Sequence, residues 1–181
     1  MTAPAVGLSP LTQDEARLWR LVREVGQALG REAHSKGANV LLAPTVNLHR
    51  TPIGGRNFEC MSEDPVLTAH LAKEYVLGVQ STGVAACIKH LVANDTEYER
   101  MTISSDVDER TLREVYLVPF EVACRPVDED GAGVWSMMTS YNRLNGTFCS
   151  EHTELLDGIV RGEWGWQGAL ISDWFGTHSA G

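Results

Sequence analysis

The sequence contains no C-x-x-C pair. Cys60, Cys87, Cys124 and Cys149 stand far apart, which argues against a zinc site and leaves free buried thiols in a reducing compartment as the reading. Basic residues are also scarce: 15 Lys and Arg face 24 Asp and Glu, for a formal net charge of −9. A nucleic-acid partner wants a basic face, so none is expected. No apolar run approaches the ~20 residues of a membrane span, so no membrane partner is expected either. Residues 1–11 show no basic stretch leading into an apolar one, so no secretion signal is visible and a cytoplasmic location is the expectation. Without that signal, Asn94-Asp95-Thr96 and Asn145-Gly146-Thr147 read as chance matches to the glycosylation pattern. No G-x-G-x-x-G follows an apolar run, which lowers a dinucleotide-binding reading. Neither a cofactor nor a metal is expected.

What is present is a repeated pattern of apolar run, polar loop and amphipathic helix. Length allows one domain with a sizeable core, and 43% hydrophobic against 22% charged residues fits a globular chain. Leu18, Leu21, Val22, Val25, Leu29 and Ala33 recur at helical spacing and predict a helix over about 14–35, with Thr12 and Glu15 as a capping box and Gly37 as its stop. Residues 40–43 read as a first buried strand. Asp64-Pro65 opens a second helix, as N-cap and first helical residue, and residues 84–88 form a second strand. Asp106 and Glu109 are expected to cap a third helix, kinked at Pro119. A third strand follows at 134–138, a fourth helix carries Leu155, Leu156, Ile159 and Val160, and a fourth strand covers 169–172. Strands alternating with helices imply parallel β/α units. Two architectures fit: a doubly wound open sheet, or a (β/α)8 barrel of which four strands make about half.

The residues that follow these strands carry the chemistry. Arg56, Asn57 and Glu59 follow the first, Lys89-His90 the second, Met138 to Asn142 the third, and Asp173-Trp174 the fourth. In a parallel β/α fold all four positions open on one face, where active sites are built. Two cations, a carboxylate, a histidine and two aromatics together suit a sugar: polar groups hold hydroxyls, an aromatic packs on the ring and a carboxylate meets the anomeric carbon. Each residue also has a plainer reading. Asp173 can be an N-cap, Lys89 a solvated charge, His90 a satisfied core histidine and Trp174 core packing. Arg56 can pair with Glu59 or Asp64. Glu97, Glu99, Asp128, Glu129 and Asp130 read as solvated loop charges.

At these residues the chain resembles glycoside hydrolase family 3. Gly54-Gly55-Arg56-Asn57-Phe58-Glu59 with Ser62-Glu63-Asp64-Pro65 is similar to its signature loop. Lys89 to Asn94 is similar to its second motif, Met138 to Asn142 with Asn145-Gly146 to its third, and Ser172-Asp173-Trp174 to its nucleophile motif. Val6-Gly7-Leu8 and Leu29-Gly30-Arg31-Glu32 fit as well. The resemblance implies a partial (β/α)8 barrel domain over 1–181, incomplete at both ends, from a retaining β-glucosidase-type enzyme. It implies Asp173 as nucleophile, and Arg56, Lys89, His90, Arg100 and Tyr141 around the terminal glucose-like ring, with Trp174 and Met138 shaping the walls. The implied ligand is a small-molecule or oligosaccharide β-glucoside. A retaining mechanism needs a second carboxyl group about 5–5.5 Å from the first, and in the family's β-glucosidases it sits on a later domain. The remainder of such an enzyme, or self-association, is the expected protein partner. Two rivals are the family's β-N-acetylhexosaminidase branch, whose loop after Lys-His carries a further histidine that residues 91–97 lack, and a non-catalytic remnant.

Overall fold

The computed structural model describes residues 12–178; Val6-Gly7-Leu8 lies outside them. Helix α1 spans Gln13–Ser35. It ends where expected: Gly37 takes φ +77, with Gly37 N–H bonded to His34 O and Ala38 N–H to Ala33 O, a Schellman arrangement that satisfies the last carbonyls. Its packing face differs from the expected stripe. Leu18, Leu21 and Val25 are exposed, while Gly26 and Gly30 are buried. The cause is the contact with helix α2, Pro65–Gln80. A Cβ on Gly26 would lie 2.5 Å from Tyr75 O, and one on Gly78 only 2.3 Å from Arg23 O. The two backbones thus cross too closely for large side chains, and the glycine side of α1 faces inward. Asp64 caps α2 as expected, accepting from Val66 and Leu67 N–H at 2.7 and 3.2 Å.

Strands β1 (Val40–Leu41), β2 (Ala85–Leu91), β4 (Ser136–Thr139) and β7 (Ala169–Ser172) form one parallel sheet in that order. Each strand lies beside the next one in the chain. A doubly wound sheet reverses its order at a switch point; a sheet that adds strands in one direction is winding a barrel. The chain is therefore a partial (β/α)8 barrel of four consecutive strands. Its core lies between sheet and helices, where Val76, Val79, Ile88, Leu91, Phe120, Met137 and Leu155 are almost wholly buried.

The third helix differs in detail. Asp108, not Asp106, caps α3 (Glu109–Thr111) by accepting from Thr111 N–H, because Asp106 is taken up by Ser104 Oγ at 2.6 Å. Wide π-type turns follow over Leu112–Tyr116. Helix α4 then starts at Val118 with Pro119 in its first turn and runs to Cys124. The proline marks a restart, since its missing N–H is harmless there. A second wide-turned helix covers Glu154–Glu163. A small sheet was not foreseen: β3 (Ser104–Ser105) pairs with β5 (Arg143–Leu144), which pairs antiparallel with β6 (Thr147–Phe148). Its hairpin turns at Asn145-Gly146, with φ +48 and +90, the paired positive angles of a type I′ turn. All four cysteines are free thiols.

Candidate active site

The site forms at the C-terminal ends of the four parallel strands. Past β1 the chain stays beside β2, with Lys89 N–H bonded to Pro44 O and Val46 N–H to Lys89 O, which brings Thr45 and Asn47 to the strand end. Lys89 and His90 are the last polar residues of β2, and the ladder with β4 steps from Lys89 to Leu91, leaving His90 out of register. After β4, Ser140 N–H and Oγ bond Leu91 O and Val92 O, and Asn142 Nδ2 also donates to Val92 O. Those bonds fix Tyr141 between them. Asp173 continues β7, with its N–H on Thr139 O.

Asp173 is the buried carboxylate of this face, 7% exposed. Its Oδ1 accepts the Trp174 N–H at 2.8 Å, within a turn rather than at the start of a helix. Its Oδ2 lies 3.5 Å from His90 Nε2. The same Nε2 is 3.3 Å from Arg56 Nη1. The Tyr141 phenol is pushed up by burial and then by its hydrogen bond to Asp173, and Arg100 stacks on the Tyr141 ring at 4.7 Å. Arg56, His90, Arg100, Tyr141 and Asp173 thus touch one another in a chain of contacts, and Lys89 joins them through Glu59. Met138 is buried in β4, in register with Lys89 on one side and Ile171 on the other. Trp174 stands out at the rim, 65% exposed.

The cations are held by carboxylates other than Asp173. Arg56 Nε donates to Glu59 Oε1 at 2.5 Å, Thr45 Oγ1 donates to Glu59 Oε2 at 2.8 Å, and Lys89 Nζ is 3.8 Å from Glu59 Oε2. Burial pushes Glu59 up, but the bonds from Arg56 and Thr45 and the charges of Arg56 and Lys89 outweigh it and bring the carboxyl down to about 2. Glu97 is not the solvated loop charge expected of it: Arg100 Nη1 donates to it at 2.7 Å, Arg56 Nη1 is 3.9 Å away and Asn94 Nδ2 donates at 3.3 Å. Burial, then Arg56 and Lys89, hold His90 down at about 3, so its ring is neutral at ordinary pH. Three side-chain cations therefore meet three carboxylates around a neutral imidazole. A charge-balanced, hydrogen-bonding floor of this kind suits a neutral polyhydroxylated ligand.

The profile of the Glycosyl hydrolase family 3 N terminal domain matches residues 4–181. The chain belongs to glycosyl hydrolase family 3. Among curated family 3 relatives it is 61% identical over 159 residues to a β-glucosidase of Rhizobium radiobacter, covering 88% of this chain and 19% of that protein. A putative β-glucosidase of Schizosaccharomyces pombe is 52% identical over 160 residues, with the same coverage. Among solved structures, β-glucosidase 3B from Thermotoga neapolitana in complex with glucose superposes with a TM-score of 0.83 at 50% identity, covering 87% of this chain and 21% of that one. The β-glucosidase of Kluyveromyces marxianus in complex with glucose gives 0.85 at 44% identity, covering 89% and 19%. The chain spans about a fifth of the length of the curated family 3 relatives it matches.

Sequence reasoning did not single out Thr45, Asn47 or Glu97 for this family 3 site. A signal existed for Glu97, which precedes Arg100 by three residues, a spacing at which opposite charges pair in a turn or helix. For Asn47 there was none, because its partner His90 lies 43 residues away.

Proposed function

We propose that this chain supplies the nucleophile half of a retaining glycosidase acting on β-linked glucosides, exo-acting on a terminal glucose or related sugar. The observation that carries the reading is the buried Asp173 carboxylate at the end of β7. One oxygen is held by a backbone N–H and the other lies 3.5 Å from His90 Nε2, while the Tyr141 hydroxyl bonds the same carboxyl group. A carboxylate pinned by one oxygen presents the second in a fixed direction, as attack on an oxocarbenium-like anomeric carbon requires. Asp173 attacks and the C1–O bond to the aglycone breaks. The departing oxygen takes a proton from a general acid, and water then releases the sugar with retention. Arg56, Lys89, His90, Arg100 and Tyr141 hold the hydroxyls, Met138 backs the floor and Trp174 offers a ring face at the mouth. The general acid belongs to another part of the longer polypeptide, as do the contacts that choose the aglycone. The similarity to β-glucosidases supports this sugar over the hexosaminidase branch, and so does the loop after β2. It holds no histidine, and its Asp95 turns to Leu48 N–H at 2.9 Å.

The test is to express the polypeptide that carries this chain and follow hydrolysis of an aryl β-glucoside by proton NMR. The β-anomer of glucose is expected as first product. Release of the α-anomer, or a preference for N-acetylglucosaminides over glucosides, would overturn the reading.

A further inference from the structure

We propose that Asn47 is a positioning residue: its amide oxygen takes the Nδ1–H of His90 and leaves Nε2 of that ring as a hydrogen-bond acceptor facing Arg56 and Asp173. The inference rests on the reading of this face as a glycosidase site. Asn47 makes three bonds to one residue. Its Nδ2 donates to His90 O at 3.0 Å, its Oδ1 accepts the His90 backbone N–H at 3.0 Å, and the same Oδ1 lies 3.1 Å from His90 Nδ1. A backbone N–H can only donate, so the atom opposite it is the amide oxygen, which settles which way the amide points. An amide oxygen cannot donate, so Nδ1 must carry the proton. In a neutral ring the proton on Nδ1 leaves a lone pair on Nε2, directed at the Arg56 guanidinium 3.3 Å away. Asn47 is 4% and His90 2% exposed, so no bulk water competes for these atoms.

The tautomer matters because of Asp173. With Nε2 unprotonated, the carboxylate oxygen 3.5 Å away gains no donor from the ring and keeps its lone pairs for the sugar. A ring protonated on both nitrogens would pair with that oxygen and blunt its attack. The groups facing His90 are Arg56, Lys89 and Arg100, which oppose a proton on the ring, and Glu59 and Asp173, which favour one. A carboxylate at position 47 would tip that balance.

The experiment uses the polypeptide that carries this chain, labelled with [15N]histidine, and the variants Asn47→Asp and Asn47→Leu. In the unsubstituted protein, His90 should show a protonated Nδ1 and a bare Nε2, unchanged down to about pH 4, with its signals assigned by loss in His90→Gln. Asn47→Asp keeps the shape and the acceptor toward Nδ1, loses the Nδ2 donor to His90 O and adds charge. It should raise the His90 midpoint by about 1–3 pH units and draw kcat, rather than KM, down on the acid side with that same midpoint. Asn47→Leu should release the ring to the other tautomer and raise KM. A bare Nδ1 in the unsubstituted protein would overturn the proposal. So would an Asn47→Asp protein, folded by circular dichroism, whose His90 titration and pH–rate profile match the unsubstituted one. If Asn47→Leu does not fold, Asn47→Asp decides alone. Glucose titration of the unsubstituted protein separates the two readings: absent binding counts against the glycosidase site, while the nitrogen spectra still judge Asn47.

Discussion

Replacing Glu59 with Gln removes the charge that organises the cations while keeping the side chain's size. The carboxylate accepts from Arg56 at 2.5 Å and Thr45 at 2.8 Å and sits 3.8 Å from Lys89. Its drop from the usual 4.5 to about 2 corresponds to about 3 kcal/mol at ~1.4 kcal/mol per pH unit. The side chain is 25% exposed, and solvent screening takes part of that, leaving about 1–2 kcal/mol. The folded-state value is depressed, so this stability is present above 4.5 and lost as pH falls from 4.5 through about 2. Glu59→Gln should therefore cost ~1–2 kcal/mol at pH 7 and flatten the stability curve across that acid window. Urea unfolding at pH 7, 4.5, 3.5 and 2.5 reads both effects. Equal stability of the two proteins at pH 7 with parallel curves below 4.5 would refute the view of Glu59 as the anchor of Arg56 and Lys89.

Two further outcomes follow from other parts of the molecule. Burial pushes Asp95 up to about 6, only partly offset by the Leu48 N–H and Arg50; a raised acid weakens the fold as pH rises from 3.8 to 6, so Asp95→Asn, which keeps the acceptor for Leu48, should stabilise by ~1–2 kcal/mol at pH 7 and not at pH 3.5, as thermal melts at both pH values would report. Gly78→Ala would set a Cβ 2.3 Å from Arg23 O; because backbone must move to make room, a loss of ~1–3 kcal/mol and earlier hydrogen exchange in α1 are expected, and an unchanged melting temperature would contradict the glycine-mediated crossing.

The architecture was legible because burial patterns are local. Residues 169–172 form the fourth strand as expected, and Asp64-Pro65 opens α2. The alternation of strands and helices alone left barrel and doubly wound sheet open, since strand order depends on which neighbours pair; the motifs shared with family 3 implied the barrel, and the sequential order of β1, β2, β4 and β7 bears it out. On α1 the hydrophobic spacing misled: Leu18, Leu21 and Val25 satisfy the helical period, yet the docked side is set by Gly26 and Gly30, which carry no hydrophobic signal. The strand ends pointed to Arg56, Lys89, His90, Tyr141 and Asp173 as neighbours, because parallel strands share one face. Long-range polar partnerships stayed hidden. Thr45 to Glu59 and Asn47 to His90 join residues from different loops, and nothing in either loop alone marks them. The small sheet could have been read from Asn145-Gly146, a two-residue turn signal between Arg143-Leu144 and Thr147-Phe148.

The central claim is that Asp173 is the group that bonds to the sugar, and covalent trapping tests it most directly. The polypeptide carrying this chain is inactivated with a 2-deoxy-2-fluoro-β-glucoside bearing a good leaving group, digested, and mapped by mass spectrometry. A retaining nucleophile accumulates as the glycosyl-enzyme under these conditions. The fluoroglucosyl mass should fall on the peptide containing Ser172-Asp173-Trp174, and Asp173→Ala should abolish both the label and turnover. A label on Glu59, Glu97 or any other carboxylate, or undiminished labelling of Asp173→Ala, would contradict the account.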